Sequence, residues 1–343
     1  NNVNLANAKL GTRVIDVSNE RLGRAERMLS PSASASVRQI AFDKTTGYAD
    51  VDGWETSRHN KDEKDWVVLQ LGFPGSITGI EIDTAGFGSS SAPEIMVEAC
   101  QIAANTEYNA ETAAWVTILP QVAVSANAST MFALWEETEH AYSHVRLSIF
   151  PDGAVARFRV FGTVRPTWPE VVSSEDADQS SDVDLAFVGN NARVVAWSNE
   201  AHGRAENLIM PERGANAGDG WLTSRSRAKS DKSQSIHSDW VAIRLGAPGF
   251  LDRVVVDTLH MGGTVPESCS IEACYSNAVN PMKDPLAVWH HVCARSNLSE
   301  LDDSVDGSVR EIPVVLKDRP FTHVRLTIYP DGGVKRFKVF GRR

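Results

Sequence analysis

The chain is 343 residues long, 42% hydrophobic and 23% charged, with a net charge of −10. That length supports two full hydrophobic cores. The acidic balance excludes nucleic acid as the main partner, because phosphate binding needs a basic surface, and no apolar run is long enough for a membrane helix.

Apolar or β-branched segments at 13–17, 66–71, 77–83, 95–99, 115–119, 144–150 and 156–161 predict strands, punctuated mostly by Gly, Pro, Asn or Asp. The stretch 165–184 then changes composition. It holds Pro166, Pro169, several serines and the acids Glu170, Glu175, Asp176, Asp178, Asp182 and Asp184. Such a segment buries little and is expected to be a surface linker. A second series of predicted strands follows at 193–197, 240–245, 251–257, 270–273, 289–292, 323–329 and 335–340. No segment carries a long helical period. Seven or eight strands per half predict an all-β fold of two tandem sandwiches or jelly rolls. The expected division is 1–164, linker 165–184, and 185–343.

The two series are copies. HVRLSIFPDGAVARFRVFG runs from His144 to Gly162, and HVRLTIYPDGGVKRFKVFG from His323 to Gly341, with fourteen of nineteen positions identical. Ser18-Asn19-Glu20 matches Ser198-Asn199-Glu200 at an offset of 180, and Asp52-Gly53-Trp54 matches Asp219-Gly220-Trp221 at 167. Asp65-Trp66 matches Asp239-Trp240, and Asp83-Thr84 matches Asp257-Thr258, both at 174. Length changes fall between motifs, as they do when loops absorb insertions. The Pro-Asp-Gly strings at 151–153 and 330–332 predict turns between strands.

Four cysteines without a CxxC pair support neither a redox motif nor a zinc knuckle. A reducing, cytoplasmic location is expected. No phosphate loop, nucleophile elbow, HExxH or dinucleotide fingerprint occurs. The chemistry rests instead on polar residues present twice. Arg58 and Arg225 follow the Asp-Gly-Trp turns, and an Arg there can hold a carboxylate through two parallel hydrogen bonds. Glu26 and Glu206 can orient a water or accept from urea-like N–H groups. A salt bridge between the same side chains is the alternative. Trp54 and Trp221 read as core or pocket wall rather than as stackers on a cofactor.

DGWETSRH (52–59), DWVVLQLGFPG (65–75), DT (83–84) and IFPDGAVARFRVFG (149–162) recur as DGWLTSR (219–225), DWVAIRLGAPG (239–249), DT (257–258) and IYPDGGVKRFKVFG (328–341). In this order, twice, they resemble the allantoicase family over nearly the whole chain. The resemblance implies tandem jelly rolls of galactose-binding-like type. It also implies hydrolysis of allantoate to ureidoglycolate and urea in purine and allantoin degradation. The urea can leave by direct attack of water, or first, with hydration of an imine afterwards.

The segments after the DT pairs depart from the family's His-Phe-x-Gly-Asn-aromatic-Pro pattern. They read TAGFGSSSAPE from Thr84 and TLHMGGTVPES from Thr258. The second copy keeps His260, Gly263 and Pro266, whereas the first has Gly86 at the His position. His260 can act as acid or base near neutral pH, or can simply bond a loop backbone. The expected catalytic set is Glu26, Glu206, His260 and Asp219. The expected substrate-binding set is Arg24, Arg204, Arg58, Arg225, Trp54, Trp221 and Glu55. Neither a metal nor a cofactor is expected. The partner is a small ureido compound with a carboxylate, and a homo-oligomer is compatible with the surface. Two further readings stand beside allantoate cleavage: another ureido, guanidino or aminal substrate, or a non-catalytic ligand-binding sandwich.

Overall fold

A computed structural model describes residues 2–34, 41–42, 49–59, 61–168, 183–226 and 237–343. It divides into two compact units, residues 2–166 and 167–343. Most of the 165–184 stretch lies outside the described residues.

Both units are antiparallel β-sandwiches, and the expectation of tandem jelly rolls holds. The helical turns among the described residues are 3-10 segments of three to five residues. In the first unit the central element is one 19-residue strand, Asp65–Asp83. Its first half pairs with Arg13–Val17 and Tyr142–Phe150, and its second half with Arg157–Val164 and Ser129–Ala133. Tyr142–Phe150 continues the first sheet to Glu94–Cys100 and Val116–Ala123. One strand thus serves both layers, bending through Gly72-Phe73-Pro74-Gly75. The second unit repeats this plan around Asp239–Asp257.

The sequence predicts two strands at 66–71 and 77–83 where one runs through. Gly and Pro mark the bend correctly, but one strand runs through it: pairing stops at Gln70 and resumes at Gly75, on both sides of the strand. The edge strands Ser129–Ala133 and Val309–Pro313 were not foreseen. Their side chains are largely exposed, so apolar content does not mark them.

The core lies between the layers. Val67, Leu69, Ile80, Ile82, Ile95, Val97, Val145, Leu147, Ile149, Phe158 and Val160 are buried, at alternate positions of their strands. The second unit buries the corresponding Val241, Ile243, Val254, Val256, Ile271, Val324, Leu326, Ile328, Phe337 and Val339. All four cysteines are buried and free.

The Pro-Asp-Gly turns end the strands with cis Phe150–Pro151 and Tyr329–Pro330 bonds. Gly153 and Gly332 have φ of 138° and 139°, and a Cβ at Gly153 would lie 2.7 Å from the Ala92 backbone. Only glycine fits there. Thr56 and Thr223 lock the turns. Their hydroxyls accept from the N–H of Gly153 and Gly332 at 3.1 Å.

Candidate active site

At one end of each sandwich three segments meet: the strand-turn after Asp-Gly-Trp, the loop after Asp-Thr, and the Pro-Asp-Gly turn. In the second unit they enclose a cleft of about 320 Å³, lined among others by Thr223, Arg225, Gly263, Thr264, Glu267 and Asp331. A neighbouring hollow of about 360 Å³ shares Gly263 and Val265 and adds Ser299, Leu301, Asp302 and Asp303. Volumes of this order suit a small ligand.

Arg225 lines the cleft, and its Nη2 donates to the Gly263 carbonyl at 2.9 Å. In the first unit Arg58 Nη2 donates to the Ser89 carbonyl. The bond is the same, since Arg58 aligns with Arg225 and Ser89 with Gly263. Arg58 Nε also lies 3.9 Å from Asp152 Oδ1. Asp152 and Asp331 accept from the N–H of His59 at 2.8 Å and of Ser226 at 2.7 Å, so the Pro-Asp-Gly turns tie down the segments that carry the arginines. Arg225 is exposed. A guanidinium has five N–H donors, and one bond to Gly263 leaves others for a ligand.

Glu267 is the carboxylate that the sequence reading passed over. It follows Pro266, is exposed, and lines the cleft with Arg225. The first unit has Pro93 in its place. The available signal was this difference between the copies, because attention to shared residues hides a group that only one copy carries.

His260 heads the loop in the left-handed region, φ 64°, where Gly86 stands at φ 83° in the first unit. A non-glycine residue there is strained by roughly 1–2 kcal/mol. Its N–H donates to Asp303 Oδ1, which holds the loop against the hollow. Met261 is fully buried against Gly220, as Phe87 packs against Gly53. The Met-for-Phe change therefore preserves an anchor of the loop.

Other expected site residues lie elsewhere. Trp54 and Trp221 are fully buried, and their indole N–H groups donate to the carbonyls of Asn19 at 2.8 Å and Asn199 at 2.7 Å. They are core, and support the site from beneath. Glu55 is also buried, with its N–H on the Gly23 carbonyl, and Leu222 replaces it in the second unit. Arg24 and Glu26 are exposed. Arg204 and Glu206 form a surface ion pair at 2.7 Å, with side chains 68% and 45% exposed. That pairing differs from either expected arrangement, because Glu206 meets Arg204 and Arg225 meets a backbone carbonyl.

Asp219 is turned to a structural task. Its Oδ2 accepts from the N–H of Ala215 at 2.9 Å and Asn216 at 3.3 Å, within a capping box. Its carbonyl accepts from buried Arg336 at 2.6 Å. Burial lowers that guanidinium to about 10. The first-unit counterpart differs: Asp52 offers both carboxylate oxygens to Arg157, at 2.8 and 2.9 Å.

No group of three or more His, Cys, Asp or Glu among the described residues is arranged to hold a metal ion. No helix among them is long and apolar enough to cross a membrane.

This architecture has close relatives. The model of the allantoicase repeat matches residues 3–165 and again 183–343. An allantoicase of Neurospora crassa is 38% identical over 348 residues, covering 99% of this chain and 91% of that protein. A probable allantoicase of Stutzerimonas stutzeri is 37% identical, covering 99% and 96%. The crystal structure of allantoicase from Saccharomyces cerevisiae superposes with a TM-score of 0.79 at 31% identity, covering 99% of this chain and 92% of that one. With both repeats matched and the full length aligned, the chain belongs to the allantoicase family.

Proposed function

We propose that this protein hydrolyses allantoate to ureidoglycolate and urea, and that the cleft of the second unit is where it does so. The observation that carries the site is the meeting of Arg225 and Glu267 in one small cleft. Allantoate has one carboxylate and two ureido groups on a single carbon. Its recognition calls for a guanidinium and for oxygen acceptors, and this cleft has both.

Arg225 takes the carboxylate with the N–H groups that Gly263 leaves unused. Glu267 takes a proton from water. The water oxygen bonds to the central carbon as one carbon–nitrogen bond breaks. The departing nitrogen takes a proton from His260, and urea leaves. Asp331 and Thr223 hold the strand-turn and the Pro-Asp-Gly turn so that Arg225 and Gly263 stay in register. This is C–N hydrolysis of the amidinohydrolase type. Family membership extends the same reading to a cytoplasmic enzyme of purine breakdown.

Incubation of the purified chain with allantoate, followed by measurement of urea and ureidoglycolate, tests the activity. Equimolar release of both products is expected. Saturable allantoate binding without urea release would favour the non-catalytic sandwich.

A further inference from the structure

In both units the loop after Asp-Thr is tied to a neighbouring segment by one hydrogen bond, made by different residues. In the first unit the Gly86 N–H donates to Asn127 Oδ1 at 2.7 Å. In the second the His260 N–H donates to Asp303 Oδ1. Where the first unit has glycine the second has histidine, and across the same bond a carboxylate stands in place of an amide.

The segment that carries the acceptor differs too. It starts where the N–H of Val124 or Leu298 meets the carbonyl of Pro93 or Glu267, each at 2.9 Å. It ends where the hydroxyl of Thr84 or Thr258 donates to the carbonyl of Ala128 or Ser308, at 3.0 and 3.1 Å. Between these anchors the first unit has three residues, 125–127, and the second has nine, 299–307. The longer segment is braced. Arg213 Nη1 donates to the Val305 carbonyl at 3.0 Å, while its Nη2 donates to Asp257 Oδ1 at 2.8 Å. Within the segment Asp302 Oδ1 accepts from the Ser304 N–H at 2.8 Å. Asp303 is thus carried on a fixed wall of the hollow beside the cleft.

The two replacements fit each other physically. Glycine takes φ 83° without steric cost, and a neutral acceptor is enough to hold it. Histidine at φ 64° is strained, and such a backbone persists only where its surroundings hold it. A hydrogen bond to a carboxylate is roughly twice as strong as one between neutral groups. The donor is the N–H of His260 itself. The bond therefore fixes the peptide plane from which the direction of the imidazole follows.

We propose that Asp303 is a positioning residue for the hydrolysis: by holding the His260 N–H, it keeps the imidazole where it can give its proton to the departing nitrogen. The proposal rests on the reading of His260 as the acid. Asp303 acts through the chain and need not touch the substrate.

The test is kcat and KM for allantoate in the full chain as wild type, Asp303→Ala, Asp303→Asn, His260→Gly and the double variant His260→Gly/Asp303→Ala. Asp303→Ala is expected to lower kcat by about ten- to a hundredfold with KM little changed, because a misplacement of about 1 Å can cost about 10²-fold. Asp303→Asn keeps an acceptor, as Asn127 does in the first unit, and recovers most of that loss. With no imidazole to place, Asp303→Ala in the His260→Gly background costs no more than about a further twofold. Circular dichroism and Tm establish that each variant is folded. Asp303 is exposed. Should Asp303→Ala nevertheless not fold, Asp303→Ser, whose shorter side chain draws the acceptor back, is read in its place. Wild-type kcat in Asp303→Ala, no recovery in Asp303→Asn, or an equal loss with and without the imidazole overturns the proposal. Full activity of His260→Gly overturns the acid reading, and the proposal with it, whatever the Asp303 variants do.

Discussion

Arg225 donates to the carbonyl of Gly263 at 2.9 Å across 38 residues of chain, and so joins the segment after Asp-Gly-Trp to the loop after Asp-Thr. Arg58 makes the corresponding bond in the first unit. In the second unit the bond spans a cleft that also holds a carboxylate.

Removal of that arginine tests both its roles. Arg225→Ala is expected to lower kcat/KM for allantoate by about a hundredfold, the loss of roughly one charge-assisted interaction of up to 3 kcal/mol. Tm is expected to stay within a few degrees, because the side chain is exposed. Arg58→Ala, in the unit that has Pro93 in place of Glu267, leaves turnover within about twofold. Equal losses from the two variants would place catalysis in both repeats.

Glu267 is assigned the proton of water. Glu267→Gln keeps size and hydrogen bonding but loses basicity, and kcat is expected to fall by about 10²–10⁴. Urea release under saturating allantoate measures it. A wild-type kcat with raised KM would make Glu267 a binding residue instead.

His260 occupies a backbone conformation that glycine holds in the first unit. His260→Gly therefore relieves strain, and Tm does not fall. Turnover drops by about a hundredfold if the imidazole protonates the departing nitrogen. Full activity in a folded variant would leave His260 as a loop residue only.

The Arg204–Glu206 pair lies on the surface. Exposed pairs contribute about 0–1 kcal/mol, so Glu206→Gln shifts Tm by no more than a few degrees. Turnover stays near wild type, since neither side chain lines the cleft. A hundredfold loss of kcat with unchanged Tm would return Glu206 to the catalytic set.

Asn4 and Asp184 fill one position in the two units. Asn4 Oδ1 accepts from the N–H of Ala6 and Val160, both at 3.1 Å, and Asp184 Oδ1 from Ala186 at 3.0 Å and Val339 at 2.9 Å. Burial pushes the Asp184 carboxyl up from 3.8 to about 6. The folded chain then holds a proton that the unfolded chain has released. Stability from this group is greatest below about pH 4 and falls as pH rises to about 6. Asp184→Asn retains both bonds without a charge to bury. It is expected to raise stability at pH 7 by roughly 1–3 kcal/mol, with the gain vanishing below about pH 4. Denaturation of both proteins across this pH range checks it, and a pH-independent difference would refute the assignment.

Much of this molecule was legible without coordinates. The duplication, the strand series, the Pro-Asp-Gly turns and the family resemblance follow from alternation, turn residues and recurring strings, all of which act over a few neighbouring residues. The arginines after Asp-Gly-Trp were also visible, because they recur. What they touch was not. Only the register of the strands brings Arg225, Gly263 and Glu267 together, sinks Trp221 into the core, and spends the Asp219 carboxylate on its own loop. These contacts join residues far apart in the chain, and no local pattern encodes which of two polar groups will face the cleft and which will cap a turn. The long strands Asp65–Asp83 and Asp239–Asp257 make the same point. Glycine and proline announced a break in each, and the pairing does lapse there, but the same strand resumes beyond it with partners far away in the chain.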